Sequence, residues 1–148
     1  LDIYKENYAN LKKYISKKYK IKIVYNNLKY NFFNNSFKII SIYNKLSYKN
    51  KYYVLIHEFG HYLTFIKNKE NLYKNINNEK SKITFVNTVT NEINAWQNGK
   101  YFVLKHNFHF NDNHFEKFST QCIMSYVKNG LKNVYNNKIN IDIIDIKI

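Results

Sequence analysis

A chain of 148 residues with one Cys, no Pro and a formal charge of +14 has the size of a single domain, 1–148, with enough length to bury a core. The lone Cys122 excludes an internal disulfide and any metal site built from several cysteines. No apolar run approaches the ~18 residues that a membrane span needs, so no transmembrane segment is expected. One unpaired thiol suits a reducing compartment, and the sequence reads as cytoplasmic. The N-terminus is polar and Lys-rich, without the apolar block of a leader. With Leu1 in first place, a leader removed upstream stays compatible with the sequence.

The charge has two readings. A nucleic acid or another anionic partner would be attracted to it. Yet the chain has no Arg and only three Gly, and it is rich in Lys, Asn, Ile and Tyr, as an A/T-rich genome would encode whatever the function. Without Arg, the planar fork that reads guanine edges is missing. The compositional reading is therefore preferred, and nucleic acid stands as the alternative partner.

In chain order, Leu1 to Lys18 reads as an amphipathic helix, with Tyr4, Tyr8, Leu11 and Ile15 at helical spacing. Ile21 to Tyr25 reads as a short strand, ended by a turn at Asn26 and Asn27. Phe32 and Phe33 are apolar but have no clear element. Phe37 to Tyr43 reads as a second strand. Ser47 suits the N-cap of a helix over Lys51 to Lys67, whose apolar face carries Val54, Leu55, Phe59, Tyr62, Leu63 and Ile66. Lys74 to Lys82 reads as a polar loop. Ile83 to Leu104 predicts another helix, although the β-branched residues between Thr84 and Val89 weaken its first half. Phe115 to Asn129 predicts a further helix, with Gly130 as its stop. The tail alternates from Ile139 to Ile148 with one slip, as a bulged strand would.

The chemistry is concentrated at His57-Glu58-Phe59-Gly60-His61, an HExxH motif within the second predicted helix. Residues four apart share one helix face, so both imidazoles can reach one metal while Glu58, one step round, faces its water. Two surface histidines on an amphipathic helix are the plainer alternative. The uncharged flanks Val54-Leu55-Ile56 and Tyr62-Leu63 argue against it, because buried imidazoles and a buried carboxylate need something to satisfy them. The third-ligand candidates are Glu70, Glu79, Glu92, His106, His109 and His114. Glu70 and Glu79 sit in solvated, Lys-rich sequence. Glu92 lies among Val86, Val89, Ile93, Ala95 and Trp96 and is expected to face the core. Small Ala95 would let its helix pack close to the motif helix.

His57-Glu58-Phe59-Gly60-His61 followed by Glu92-Ile93-Asn94-Ala95 resembles the gluzincin branch of the zincin metallopeptidases. The small layout resembles the phage and mobile-element peptidases of the ImmA/IrrE type. The likeness spans roughly Phe37 to Leu104. It implies zinc as cofactor, with His57, His61 and Glu92 as ligands and Glu58 as the general base that activates water. It also implies an α+β fold in which a small twisted sheet packs against the HExxH helix and a glutamate-ligand helix, with Phe37 to Tyr43 as the edge strand beside the cleft. The activity implied is hydrolysis of a protein or peptide substrate. Thermolysin-like gluzincins often carry an Asp four residues after the glutamate ligand, where this chain has Trp96. A backbone carbonyl or Asn94 is then expected to orient the histidine. Among His106, His109 and His114, one is an alternative third ligand or an oxyanion donor, and the plainer reading of each is an exposed loop residue. Tyr126, beside Ile123 and Val127, reads as core. Two other classes are a nucleic-acid-associated protein, including a protease of DNA-bound proteins, and a non-catalytic metal-stabilised module. The oligomeric state is not encoded in any pattern seen.

Overall fold

The computed structural model describes residues 2–67 and 82–135. The polar stretch before Lys82, with Glu70 and Glu79, and the alternating tail lie outside the described residues. The elements run α1 (Ile3–Tyr19), β1 (Lys22–Asn26), β2 (Phe32–Asn34), β3 (Ile39–Tyr43), α2 (Tyr48–Lys67), α3 (Lys82–Lys105) and α4 (Asp112–Tyr135). The fold is α+β: four helices and a three-stranded sheet. Among the described residues, no helix is long and apolar enough to cross a membrane.

Local chemistry sets most boundaries. Asp2 caps α1 by accepting the Tyr4 amide at 3.0 Å, and Lys20 ends it in a left-handed conformation at φ 57°. Ser47 caps α2, accepting from the Asn50 amide at 3.3 Å, as expected of an N-cap serine. The β-branched start of α3 does not break it, because one face of that segment packs on α4 and tertiary contact overrides a small propensity cost.

Two expectations are corrected. The sheet order is β1-β3-β2, with β1 parallel and β2 antiparallel to β3. The second strand is therefore central rather than an edge, and the unplaced Phe32 and Phe33 form the edge strand β2. The physical reason is burial: Ile40, Ser41 and Ile42 are all buried, as befits a strand flanked on both sides. Gly130 does not stop α4, which continues to Tyr135. A Cβ at Gly130 would lie 2.1 Å from the Phe85 ring. The glycine makes room for α3 inside the helix.

The core gathers Leu11 and Ile15 of α1, Ile40 and Ile42 of β3, Leu55, Ile56 and Phe59 of α2, and Trp96, Phe102 and Val103 of α3. The sheet packs on α2 and α1, while α3 takes its place through α2 and carries α4 on its other side. The contact between α2 and α3 is a close one. A Cβ at Gly60 would lie 1.9 Å from the Ala95 carbonyl oxygen, and one at Gly99 would lie 2.4 Å from the Ile56 carbonyl oxygen. The expected close approach at Ala95 is realised, and Gly60 inside the motif is its other half.

A candidate metal centre

The close approach of α2 and α3 brings His57, His61 and Glu92 together. Nε2 of His57 is 3.2 Å from Nε2 of His61, and Oε2 of Glu92 is 3.0 Å from the first and 3.5 Å from the second. A tetrahedral zinc with bonds of about 2.0–2.1 Å holds its ligand atoms about 3.3 Å apart, so the triangle has the size such an ion requires. Among the described residues this is the one group of His, Cys, Asp or Glu atoms that could hold a metal. The donor set also fits: two neutral-capable imidazoles and one carboxylate.

The hydrogen bonding points the same way. Glu92 Oε2 is buried, and among the described residues its near polar neighbours are the two histidine nitrogens, at ion-pair distance. The three atoms converge on a common point, the two imidazole nitrogens within hydrogen-bond distance of each other and of the carboxylate. A buried carboxylate needs a positive partner, and a cation at the centre of the triangle would meet all three atoms at once.

Burial pushes the His57 imidazole below its usual range, with Glu92 opposing. Burial acts on His61 in the same sense, but the hydrogen bond and charge of Glu92 and the charge of Glu58 outweigh it and hold that ring above its usual range. Burial pushes Glu92 up as well, yet the two histidines overcome this and hold it at about 2. The two imidazoles and the carboxylate thus share protons as one coupled group. Protons compete with a metal ion for these ligand atoms, so metal binding weakens as pH falls.

Glu58 stands outside the ligand triangle, fully buried. Burial, aided by the charge of Glu92, pushes it up to about 7, against the opposing charge of His61 and the backbone amide of Phe33. The edge strand bordering the site is thus β2. Among the described residues, no hydrogen bond orients His57 from behind. Its Nδ1 is buried without a partner, so neither Asn94 nor a backbone carbonyl fills the expected role. Trp96 instead stacks on the ring, with centroids 4.2 Å apart and planes at 20°. The residue that departs from the thermolysin pattern positions the imidazole by its face.

The other candidates lie elsewhere. His114 Nδ1 meets the Tyr4 hydroxyl at 2.6 Å, His106 packs on Tyr14 and Phe102, and the His109 carbonyl accepts from Tyr52. None joins the cluster, and none is an exposed loop residue: each is half-buried against aromatic rings. Tyr126 is a second correction to the reading of the helices. It is not core but 39% exposed, with its phenol near the site. Burial, then the charges of Glu92 and Glu58, push it up to about 12. Cys122, one turn earlier on α4, is pushed up to about 11 by the same three causes and stays a neutral thiol. The apolar neighbours of Tyr126 concealed it, and only the docking of α4 on α3 brings it to the carboxylates.

No family model, curated protein or solved structure matches this chain.

Proposed function

We propose that the protein is a zinc-dependent peptidase that hydrolyses peptide bonds in a protein or peptide substrate. The observation that carries this reading is the convergence of His57, His61 and Glu92 on one point, with a buried carboxylate, Glu58, beside the triangle but not part of it. A metal site that serves only structure has four protein ligands and no need of an adjacent base. Three ligands and a spare glutamate favour catalysis.

In this reading His57, His61 and Glu92 hold the ion, in a zincin-like arrangement. A zinc ion held there would supply Lewis-acid chemistry to a peptide carbonyl and to water. Glu58, beside the triangle, is placed to take a proton from an attacking water on its carboxylate and to deliver it to the leaving amine. Trp96 and the helix contact at Gly60 keep the imidazoles in place, and the outer edge of β2, unpaired among the described residues, offers backbone groups to an extended peptide.

The test is elemental analysis of protein purified without added metal. About one zinc per chain is expected in wild type, and Glu92→Ala should lose it at least tenfold more readily to a chelator. Wild type that takes up no zinc even when supplied would overturn the reading.

A further inference from the structure

A second cluster lies where α1, β1 and the start of α2 meet. Lys12 Nζ sits 4.7 Å from the centroid of the Tyr25 ring, and Lys51 Nζ sits 5.4 Å from the same ring. Lys51 and Lys5 also lie 5.4 and 5.7 Å from the Tyr48 ring. Three ammonium groups thus crowd two phenol rings. Among the described residues, none of the three has a carboxylate partner; the lysine ion pairs there are those of Lys100 with Asp112 and Glu116.

The hydrogen bonding of the cluster is one-sided. Tyr25 Oη accepts from the Tyr8 hydroxyl and from Lys12 Nζ, both at 3.1 Å. Its own O–H finds no acceptor among the described residues. The Tyr25 O–H and the three ammonium groups are thus donors without a charged partner among the described residues. The first turn of α2, which carries Tyr48 and Lys51, has no acidic residue, so the positive end of that helix adds to the same field. Crowded ammoniums held by cation–π contact, none paired with a carboxylate among the described residues although Glu6 is the neighbour of Lys5 on α1, form a corner suited to an anion.

We infer that Lys5, Lys12, Lys51 and Tyr25 form a binding site for the phosphate backbone of a nucleic acid. Length argues for a polyanion rather than a single phosphate group. Lys5 and Lys12 are seven residues apart on α1, about 10 Å along its axis. In a duplex each strand places a charge about every 3.4 Å along the axis, and a single strand is also a continuous row of phosphates, so either can meet several of these donors at once. Contacts are to phosphate and carry no sequence reading. The site is independent of the metal centre and of the activity proposed for it.

The experiment is fluorescence anisotropy of a labelled single-stranded DNA of about 20 nucleotides, titrated with the full-length protein at several salt concentrations. Lys12→Gln/Lys51→Gln should bind about tenfold more weakly at low salt, and its salt slope should fall by about 1.4, the share of two phosphate contacts. Tyr25→Phe, which keeps the ring and removes the donor, should lose about threefold. Lys5→Gln/Lys12→Gln provides a second pair in case the half-buried Lys51 proves necessary for folding, which thermal melting decides. Lys128→Gln/Lys132→Gln on α4 removes the same charge elsewhere and should change binding far less. Equal losses from the two regions would reduce the effect to net charge and overturn the site. So would the absence of DNA binding at low salt, or binding of polyglutamate or anionic vesicles as tight and as dependent on Lys12 and Lys51.

Discussion

Glu58→Gln is expected to keep the wild-type zinc content while hydrolysis falls by about three orders of magnitude. The side chain is outside the ligand triangle, so the substitution removes no metal contact. The amide has the shape of the carboxyl but cannot take a proton from water. Activity retained at a tenth of wild type or more would remove Glu58 from the mechanism, while loss of zinc would make it a ligand.

The same variant should alter stability in a pH-dependent way in the metal-free protein. Glu58 is held at about 7 against an ordinary value of 4.5. Between these pH values the folded chain keeps a proton that the unfolded chain has released. The stability this provides is lost as pH rises through that window and remains lost above it. Ionising the buried carboxyl costs the fold about 3 kcal/mol, and glutamine has no such cost. Urea unfolding of the metal-free proteins should therefore find Glu58→Gln more stable than wild type at pH 8, with the gain disappearing near pH 4.5. A gain that grows toward acid would place the ionisation elsewhere.

Gly60→Ala should be the most damaging small substitution in the fold. In an open helix, alanine would improve on glycine by about 1 kcal/mol. Here its Cβ would lie 1.9 Å from the Ala95 carbonyl oxygen, whereas ordinary contact begins near 3.4 Å. That oxygen belongs to the backbone of α3 and cannot swing aside, so the helices must separate. Overpacking of this kind costs about 1–3 kcal/mol and more where backbone meets backbone, so the clash outweighs the propensity. His57 and His61 ride on one helix and Glu92 on the other, so separation also opens their 3.0 and 3.5 Å spacings. Thermal melting and zinc competition against a chelator should both show a loss. A variant that melts lower but binds zinc as tightly would mean that the ligand spacing does not depend on helix contact.

The sequence carried the parts of the site that local geometry encodes. Two histidines four apart, within a helix whose flanks are uncharged, place both imidazoles on one face without tertiary information. Glu92 was legible because a lone carboxylate among Val89, Ile93, Ala95 and Trp96 demands a partner. What was not legible depends on packing between distant segments. Strand order is one case, although Ile39-Ile40-Ser41-Ile42-Tyr43 is apolar at almost every position, the pattern of a strand covered on both faces, and so carried an unused signal. Gly130 is another: a glycine that ends a helix and one that admits a neighbouring ring look alike in sequence. Tyr126 has no signal of its own, because its relation to Glu92 exists only once α4 docks on α3.

The stacking of Trp96 on His57 also gives the protein an optical probe of its own. It is the chain's single tryptophan, so all indole emission arises within van der Waals reach of a residue in the cluster. A charged imidazolium draws electron density from an adjacent indole face and quenches it, whereas a neutral ring does so far less. Emission should therefore fall on acidification as His57 gains its proton, and should resist that fall once zinc occupies the ring nitrogen. Loading of the centre could then be followed in unlabelled protein, with Trp96→Phe as the dark control. An emission indifferent to both acid and zinc would mean that the two rings are not stacked in solution.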